Sequence, residues 1–133
     1  MGTLVVGYVP RAEGEAALRA GVAEAKLRDA TLIVVSSHRG GSDFTKAESQ
    51  AADEEMERVR SLLADTGVEY EIRHLVRGFE PAEDVISIAE ANSAELIIIG
   101  LRRRSPVGKL IMGSNAQRVL LDAPCPVLAV KVD

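Results

Sequence analysis

The sequence predicts an α/β fold in which helices cover both faces of a five-stranded parallel sheet. Apolar runs alternate along its 133 residues with segments whose apolar residues recur at helical spacing. Hydrophobic residues make up 47% of the chain and aromatic residues only 3%, so the core must consist mainly of Val, Ile, Leu and Ala. Such a core suits strands buried on both faces with helices packed over them. We therefore expect a single domain over residues 1-133, with the order β-α-β-α-β-α-β-α-β.

The first apolar run and the segment after it predict a strand followed by a helix. The strand covers Leu4 to Val9, and the helix covers Glu13 to Arg28. The helix is rich in alanine and carries three apolar residues along one stripe: Leu18, Val22 and Ala25. A second strand is expected from Ala30 to Val35.

A surface loop and a long amphipathic helix are expected next. The segment from His38 to Lys46 contains two adjacent glycines and predicts the loop. Four apolar residues then recur at helical spacing: Ala52, Met56, Val59 and Leu63. Four carboxylates occupy the polar side of this helix and are interpreted as a solvated face: Asp53, Glu54, Glu55 and Glu57. Gly67 is placed to end the helix.

The second half of the chain predicts three strands and two helices. The strands are expected from Tyr70 to Val76, from Leu96 to Ile99 and from Pro126 to Val132. Pro81 opens the helix between the first two of these strands, because proline is favoured at the first helical position. The other helix follows Gly113.

The predicted order of elements indicates where a ligand would bind. The alternating order implies right-handed crossovers and a parallel sheet. Ligands of such sheets bind beyond the carboxyl ends of the strands, at the point where the strand order reverses. We expect the first and fourth strands to flank that point. The candidate loops are therefore Pro10 to Gly14 and Leu101 to Met112, with the loop after the second strand beside them.

The basic loop after the fourth strand has the composition of an anion site. Gly100 and Gly113 would allow close approach of the backbone, and Ser114 could donate a hydroxyl proton at the start of a helix. Cationic side chains in the loop could neutralise a phosphate: Arg102, Arg103, Arg104 and Lys109. The alternative is that the glycines only turn the chain and the arginines are solvated.

Charge and hydropathy exclude several functional classes. The net charge of -4 argues against a general nucleic-acid binder, which needs a broad positive surface. No run approaches the roughly 20 apolar residues that span a bilayer, and the chain begins without a signal-peptide pattern. These observations predict a cytoplasmic protein that does not associate with membranes.

Three further motifs are set aside as sites of chemistry. The lone Cys125 stands between two prolines, which indicates the entry to a strand rather than a reactive thiol. Gly108 and Lys109 lack the earlier glycine and the following Ser or Thr of a P-loop. His38 and His74 are far apart and have no metal-site spacing, and His74 is expected to be a surface or partly buried structural residue.

Five segments together resemble the universal stress protein family, over essentially the whole chain. They are LVVGY, GEAALRAG, ELIIIG, GKLIMGSNAQRVL and APCPVLAV. The resemblance implies an adenine nucleotide alpha hydrolase-like fold and a cytoplasmic stress-response module. It also implies that an adenine nucleotide, ATP with magnesium as a possible companion, binds at a loop of the form G-x2-G-x9-G-[S/T] after the fourth strand.

The loop matches the family motif at three of its four specified positions. Gly100 corresponds to the first glycine, Gly113 to the third, and Ser114 to the hydroxyl residue that should contact phosphate. Arg103 replaces the middle glycine. Its Cβ could obstruct the approach of the backbone, or its guanidinium could contact phosphate oxygens directly.

The end of the first strand also departs from the family pattern. ATP-binding members usually have an aspartate there that faces the nucleoside, whereas this chain has Val9 followed by Pro10. We expect this change to weaken nucleoside recognition. The nucleotide-binding residues implied by the resemblance are Val9, Pro10, Ser37, Ile99, Gly100, Arg102, Arg103, Gly113, Ser114 and Asn115.

The final strand predicts association between two copies of the chain. The apolar run from Pro126 to Val132 would expose unpaired backbone groups at the edge of the sheet, and the family resemblance implies a homodimer through this strand. A monomer protected by Lys131 is the alternative. No nucleophile and base are evident, so we expect no enzyme activity beyond slow, incidental ATP hydrolysis.

Two other functions stay open on the sequence alone. The first is a homodimeric protein-interaction module of the same family that binds no nucleotide, which Val9 and Arg103 favour. The second is an α/β enzyme acting on a phosphorylated metabolite, for which no catalytic group is evident.

Overall fold

The computed structural model describes residues 2–39, 46–78, 80–102 and 113–132. The strands are β1 (Thr3–Gly7), β2 (Thr31–Arg39), β3 (Tyr70–Gly78), β4 (Leu96–Arg102) and β5 (Val127–Val132). The helices are α1 (Ala12–Arg28), α2 (Lys46–Ala64), α3 (Pro81–Ala91) and α4 (Ser114–Asp122). Strands and helices alternate along the chain, which confirms the predicted order of elements.

The five strands form one parallel sheet in the order β3-β2-β1-β4-β5. The central strand β1 pairs with β2 on one side and with β4 on the other, so Val5 lies between Ile33 and Ile97. The strand order therefore reverses between β1 and β4, as predicted. It also places β5 at an edge of the sheet.

Alternating side chains of the strands form two apolar clusters, one on each face of the sheet. Leu4 and Val6 of β1 belong to the cluster beneath α1 and α2, whereas Val5 belongs to the cluster beneath α3 and α4. All three side chains are fully buried. Burial of an aliphatic side chain of this size stabilises the fold by about 1.5 to 3 kcal/mol, so the sheet is anchored from both faces.

Several strands end at residues other than those predicted. β4 does not stop at Ile99 but continues to Arg102, because Gly100, Leu101 and Arg102 pair with β5. β2 likewise extends to Arg39, into the segment expected to be a loop. Pairing with a neighbouring strand sets these ends, and an apolar pattern does not reveal it. Within the described residues, no helix is long and apolar enough to cross a membrane.

Candidate functional site

A cavity of about 120 Å³ lies at the carboxyl ends of β1 and β4, where the strand order reverses. The end of β2 and the helices α3 and α4 supply its other walls. Its lining consists of Gly7, Tyr8, Val9, Val35, Ser37, Pro81, Ala82, Val85, Ile99, Gly100, Asn115, Ala116 and Val119. The position is the one that the topology of a doubly wound sheet predicts for a ligand.

Ser37 is one of the few polar side chains that line this apolar cavity. It lies near the end of β2, two residues after Val35 and therefore on the same face of the sheet. The Ser37 hydroxyl donates a hydrogen bond to Oδ2 of Asp84, which belongs to α3 and is only 9% exposed. A buried carboxylate thus fixes the direction of the Ser37 hydroxyl.

Asn115 is the second polar side chain of the lining and joins the two helices beside the cavity. Its Oδ1 accepts a hydrogen bond of 3.2 Å from the backbone N–H of Ala82. Ala82 follows Pro81 at the start of α3, where backbone N–H groups have no partner within the helix. Asn115 therefore caps α3 from α4, and no hydrogen bond of its amide nitrogen is seen within residues 2–39, 46–78, 80–102 and 113–132.

An ion pair on the outer surface reinforces the contact between α3 and α4. Arg118 Nη2 lies 2.8 Å from Oε1 of Glu83, and its Nε lies 3.4 Å from Oδ2 of Asp122. Both carboxylates raise the pKa of Arg118 further above its ordinary value, Glu83 more strongly. The guanidinium is exposed, so the pair orients the helices more than it stabilises the fold.

The cavity brings together part of the predicted nucleotide site. Five predicted residues line it: Val9, Ser37, Ile99, Gly100 and Asn115. Pro10, Arg102, Gly113 and Ser114 are exposed and do not belong to the lining. Gly113 and Ser114 form the start of α4, next to Asn115. Arg103, and with it the basic loop from Arg104 to Met112, lies outside the described residues.

The structure gives Gly100 a packing role that sequence reasoning did not predict. A Cβ on Gly100 would lie 1.9 Å from the main-chain oxygen of Glu13, so the missing side chain admits the start of α1. Gly14 serves the same packing, because a Cβ there would lie 1.7 Å from the oxygen of Val9. The backbone of Gly100 still lines the cavity.

Gly113 has open space beside it among the described residues. A Cβ there would meet none of the described atoms within 4 Å. Its φ of -70° is accessible to any residue, so the position does not require glycine for its backbone conformation.

A hydrogen-bonded cluster on the opposite face of the sheet was missed by sequence reasoning. The buried Tyr8 hydroxyl donates to Oε1 of Glu55, and Arg58 donates to the Tyr8 hydroxyl at 2.9 Å and to Oε1 of Glu55 at 2.8 Å. Arg58 also pairs with Glu15 of α1. Glu55 is therefore an exception to the predicted solvated face. The alternation of β1 was the available signal, since it places Tyr8 on the same face as Leu4 and Val6.

The cluster perturbs the ionisation of its members. The guanidinium of Arg58, followed by the hydroxyl of Tyr8, lowers the pKa of the Glu55 carboxyl. Burial, followed by the hydrogen bond to Glu55, raises the pKa of the Tyr8 phenol well above its ordinary value. At neutral pH the phenol therefore stays protonated and donates to an ionised carboxylate.

The side chains set aside from chemistry occupy structural positions. His74 Nδ1 lies 3.8 Å from Oδ1 of Asp53, and the His74 side chain is 17% exposed, which confirms its prediction as a partly buried residue. Burial raises the pKa of the Cys125 thiol. A raised thiol pKa lowers the reactive thiolate fraction, which agrees with the interpretation of Cys125 as structural.

The sheet and its cavity define a class of protein. They describe a doubly wound α/β domain with a cavity at its topological switch point, the place where ligands of such sheets bind. A model of the universal stress protein family matches residues 1–131. The chain belongs to the universal stress protein family, as the sequence motifs indicated.

Individual relatives agree with this assignment. A universal stress protein of Mycolicibacterium smegmatis is 44% identical over 128 residues, which cover 96% of each chain. The structure of a universal stress protein from Archaeoglobus fulgidus is 37% identical, with a TM-score of 0.84 over 98% of each chain. A universal stress protein from the same organism in complex with dAMP is 31% identical, with a TM-score of 0.77 over 98% of each chain.

Proposed function

We propose that the protein binds an adenine nucleotide, with the base in the cavity between β1 and β4 and the phosphate at the start of α4. The observation that carries this proposal is the apolar cavity at the strand reversal, beside the exposed residues Gly113 and Ser114. The dAMP complex of the relative that is 31% identical supports the choice of ligand.

The size and lining of the cavity favour the base as its occupant. Sites for complete small-molecule ligands enclose roughly 300 to 1,000 Å³, whereas this cavity measures about 120 Å³. It can therefore enclose only part of a nucleotide. Its aliphatic walls, including Val85, Ile99 and Val119, suit a planar aromatic ring better than a charged group.

The start of α4 offers the groups that a phosphate needs. The first N–H groups of a helix have no internal partners, and the helix dipole adds partial positive charge there. The α4 helix begins at Ser114, whose hydroxyl can add another donor. Arg102 is exposed at the end of β4 and can supply a positive charge.

Val9 limits the affinity that we expect. It lines the cavity, and the family resemblance implies that ATP-binding members usually carry an aspartate at this position. A ligand hydroxyl that finds no acceptor on binding costs roughly 1 to 3 kcal/mol. A deoxynucleotide has fewer hydroxyls to satisfy, so dAMP is the first ligand to test, with ATP and magnesium beside it.

We propose a binding protein without enzymatic activity, located in the cytoplasm as the sequence predicts. The residues that line the cavity are suited to holding a ligand: aliphatic walls and two polar groups with fixed partners. In this role the protein would signal through the presence of bound nucleotide or through contacts between two copies, and not through conversion of a substrate.

The second candidate function is a homodimeric interaction module that binds no nucleotide. The observation in its favour is the edge strand β5, whose residues Val127 to Val130 are only partly buried in the described chain. We propose a two-fold dimer through β5 under either function, because pairing with a second copy would satisfy the outer backbone groups.

Isothermal titration calorimetry with dAMP, AMP and magnesium ATP tests the proposed function. Gly7→Ala is the informative variant for the base. Its Cβ would lie 3.4 Å from Cγ2 of Ile99 and 3.5 Å from Cγ2 of Val85, so it would fill cavity space in ordinary contact. We expect about tenfold weaker binding without loss of thermal stability.

Gly113→Asp tests the phosphate position by placing a negative charge at the start of α4. We expect it to abolish nucleotide binding and to leave the oligomeric state unchanged. Leu121→Asp is the matched control, because it adds the same charge to the same helix at a side chain that is 81% exposed. Absence of heat and of thermal shift with every nucleotide at millimolar concentration would refute the proposal.

A further inference from the structure

We propose that Ser37, oriented by Asp84, makes the cavity selective for bases that carry an amino group. The inference rests on the proposed nucleotide function and names the chemistry by which the cavity distinguishes one purine from another. In this role Ser37 contacts the base, and Asp84 is a positioning residue that acts through Ser37.

The geometry places the Ser37 hydroxyl between a carboxylate and the cavity. Ser37 lines the cavity, and its hydroxyl donates to Oδ2 of Asp84. Asp84 lies in the first turn of α3, next to Val85 of the cavity wall, and is 9% exposed. The carboxylate is thus held behind the hydroxyl and is not itself part of the lining.

The chemistry of these two groups fixes what Ser37 offers a ligand. A serine hydroxyl has one proton to donate and two lone pairs that accept. An ionised carboxylate can only accept, so the hydrogen bond to Asp84 occupies the Ser37 proton. Towards the cavity the hydroxyl oxygen therefore presents a lone pair. A ligand group that meets it must be a donor.

Adenine and hypoxanthine differ at one ring position in whether they offer a hydrogen-bond donor. Adenine carries an exocyclic amino group that donates, whereas hypoxanthine carries a carbonyl oxygen at the same carbon. A carbonyl facing Ser37 would bring two acceptors together, and one of them would lose its hydrogen bond on leaving water. Sites that read a ligand by hydrogen bonding reject such analogues strongly.

Asn115 adds a donor of fixed direction to the same lining. Its Oδ1 is occupied by the N–H of Ala82, so its amide N–H groups are the part left to face a ligand. Adenine also has ring nitrogens that accept. Ser37 and Asn115 thus offer one acceptor and one donor, which matches an amino purine.

Comparison of dAMP with dIMP by calorimetry tests the inference on the wild-type protein. We expect dAMP to bind about tenfold more tightly than dIMP. Equal binding of the two would overturn the selectivity and leave the nucleotide function standing. Binding of neither would overturn the proposed function itself.

Substitution of Ser37 assigns the selectivity to its hydroxyl. We expect Ser37→Ala to weaken dAMP binding about five- to tenfold and to change dIMP binding little. The ratio of the two affinities should then approach one. Ser37→Thr retains a hydroxyl and should therefore keep the preference for dAMP over dIMP. A preference that persists unchanged in Ser37→Ala would refute the role of this side chain.

Asp84→Asn tests the positioning role, because it can reverse the direction of the hydrogen bond between residue 84 and Ser37. The new amide can donate to Oγ of Ser37 and release the hydroxyl proton towards the cavity, so we expect the preference to move towards dIMP. Glu90→Gln removes the same charge from an exposed residue of the same helix and should leave the ratio of dAMP to dIMP affinity unchanged. An Asp84→Asn protein that folds and keeps the wild-type ratio contradicts the mechanism, and Ser37→Ala decides the proposal if that variant does not fold.

Discussion

The main-chain oxygen of Glu13 lies 1.9 Å from the point where a Cβ of Gly100 would stand. The start of α1 therefore packs directly on the backbone of β4, at the end of the strand that lines the cavity. The contact leaves room at Gly100 for a hydrogen atom but not for a Cβ atom. A glycine assigned by motif to a ligand is thus also required by the packing of a helix on the sheet.

Gly100→Ala should lower the stability of the protein by about 1 to 3 kcal/mol, the usual cost of overpacking. The opposing atom belongs to the backbone of α1 and cannot rotate away. Urea denaturation followed by circular dichroism measures the change. Gly7→Ala is the matched control, since its Cβ would make only ordinary contacts at 3.4 and 3.5 Å. Equal stability of the two variants would contradict this account of Gly100.

Asn115→Ala should reduce stability by about 0.5 to 1.5 kcal/mol, because the N–H of Ala82 loses its acceptor. Thermal unfolding measures the change, and hydrogen exchange at Ala82 should become faster. Gln117→Ala on the exposed side of the same helix is the control and should have little effect. If both variants unfold at the wild-type temperature, the cap has no energetic role.

The sequence predicted the order of the elements and the cavity position but not the partners of its polar groups. Apolar runs, together with glycine and proline at the ends of elements, are local signals, and they located every strand and helix of the described chain. The bond between Ser37 and Asp84 joins residues 47 positions apart, so no local pattern contains it. The same separation divides Tyr8 from Glu55, which was predicted to be solvated.

Strand ends and glycine roles were the other limits of sequence reasoning. Gly100 has the same appearance in the sequence whether it faces a ligand or admits a helix, and only the position of Glu13 decides the matter. Ile99 appeared to end β4 because Gly100 interrupts the apolar run after it. The extension to Arg102 depends on pairing with β5, which is distant in the sequence.

Tyr8→Phe should destabilise the protein at neutral pH by about 1 to 2 kcal/mol, since hydrogen bonds between neutral and charged groups are lost. The raised pKa of Tyr8 means that the folded state favours the protonated phenol. Its contribution is complete below the unfolded phenol pKa of about 10 and is lost as pH rises above that value. The difference in stability between wild type and variant should therefore shrink in alkaline solution.

Urea unfolding of both proteins at neutral pH and above about pH 10 provides this measurement. Tyr70→Phe is the control, because in the described part of the chain the Tyr70 hydroxyl makes one long hydrogen bond, of 3.5 Å, to the main-chain oxygen of Arg60. A constant difference between wild type and Tyr8→Phe across the pH range would show that the phenol does not titrate with unfolding.

Hydrogen exchange should reveal the proposed dimer without any substitution. If two copies pair through β5, the outward amides of Val127–Val132 should exchange more slowly at high protein concentration than at low concentration. The amides of β3, at the other edge of the sheet, provide the internal control and should be independent of concentration. Concentration-independent exchange at β5, together with a monomer in sedimentation at micromolar concentration, would exclude this dimer.

The two edges of the sheet differ in chemistry, and the difference bears on how far association can proceed. The β3 edge carries an exposed ion pair, with Arg73 Nε 2.8 Å from Oε1 of Glu71, whereas β5 presents mainly aliphatic residues. Charged side chains discourage edge-to-edge pairing. Only the β5 edge is then suited to pairing, because the charged residues of β3 oppose it. When two copies pair through β5, neither copy has a second edge that favours pairing. We expect growth to stop at two chains rather than to continue into a fibre.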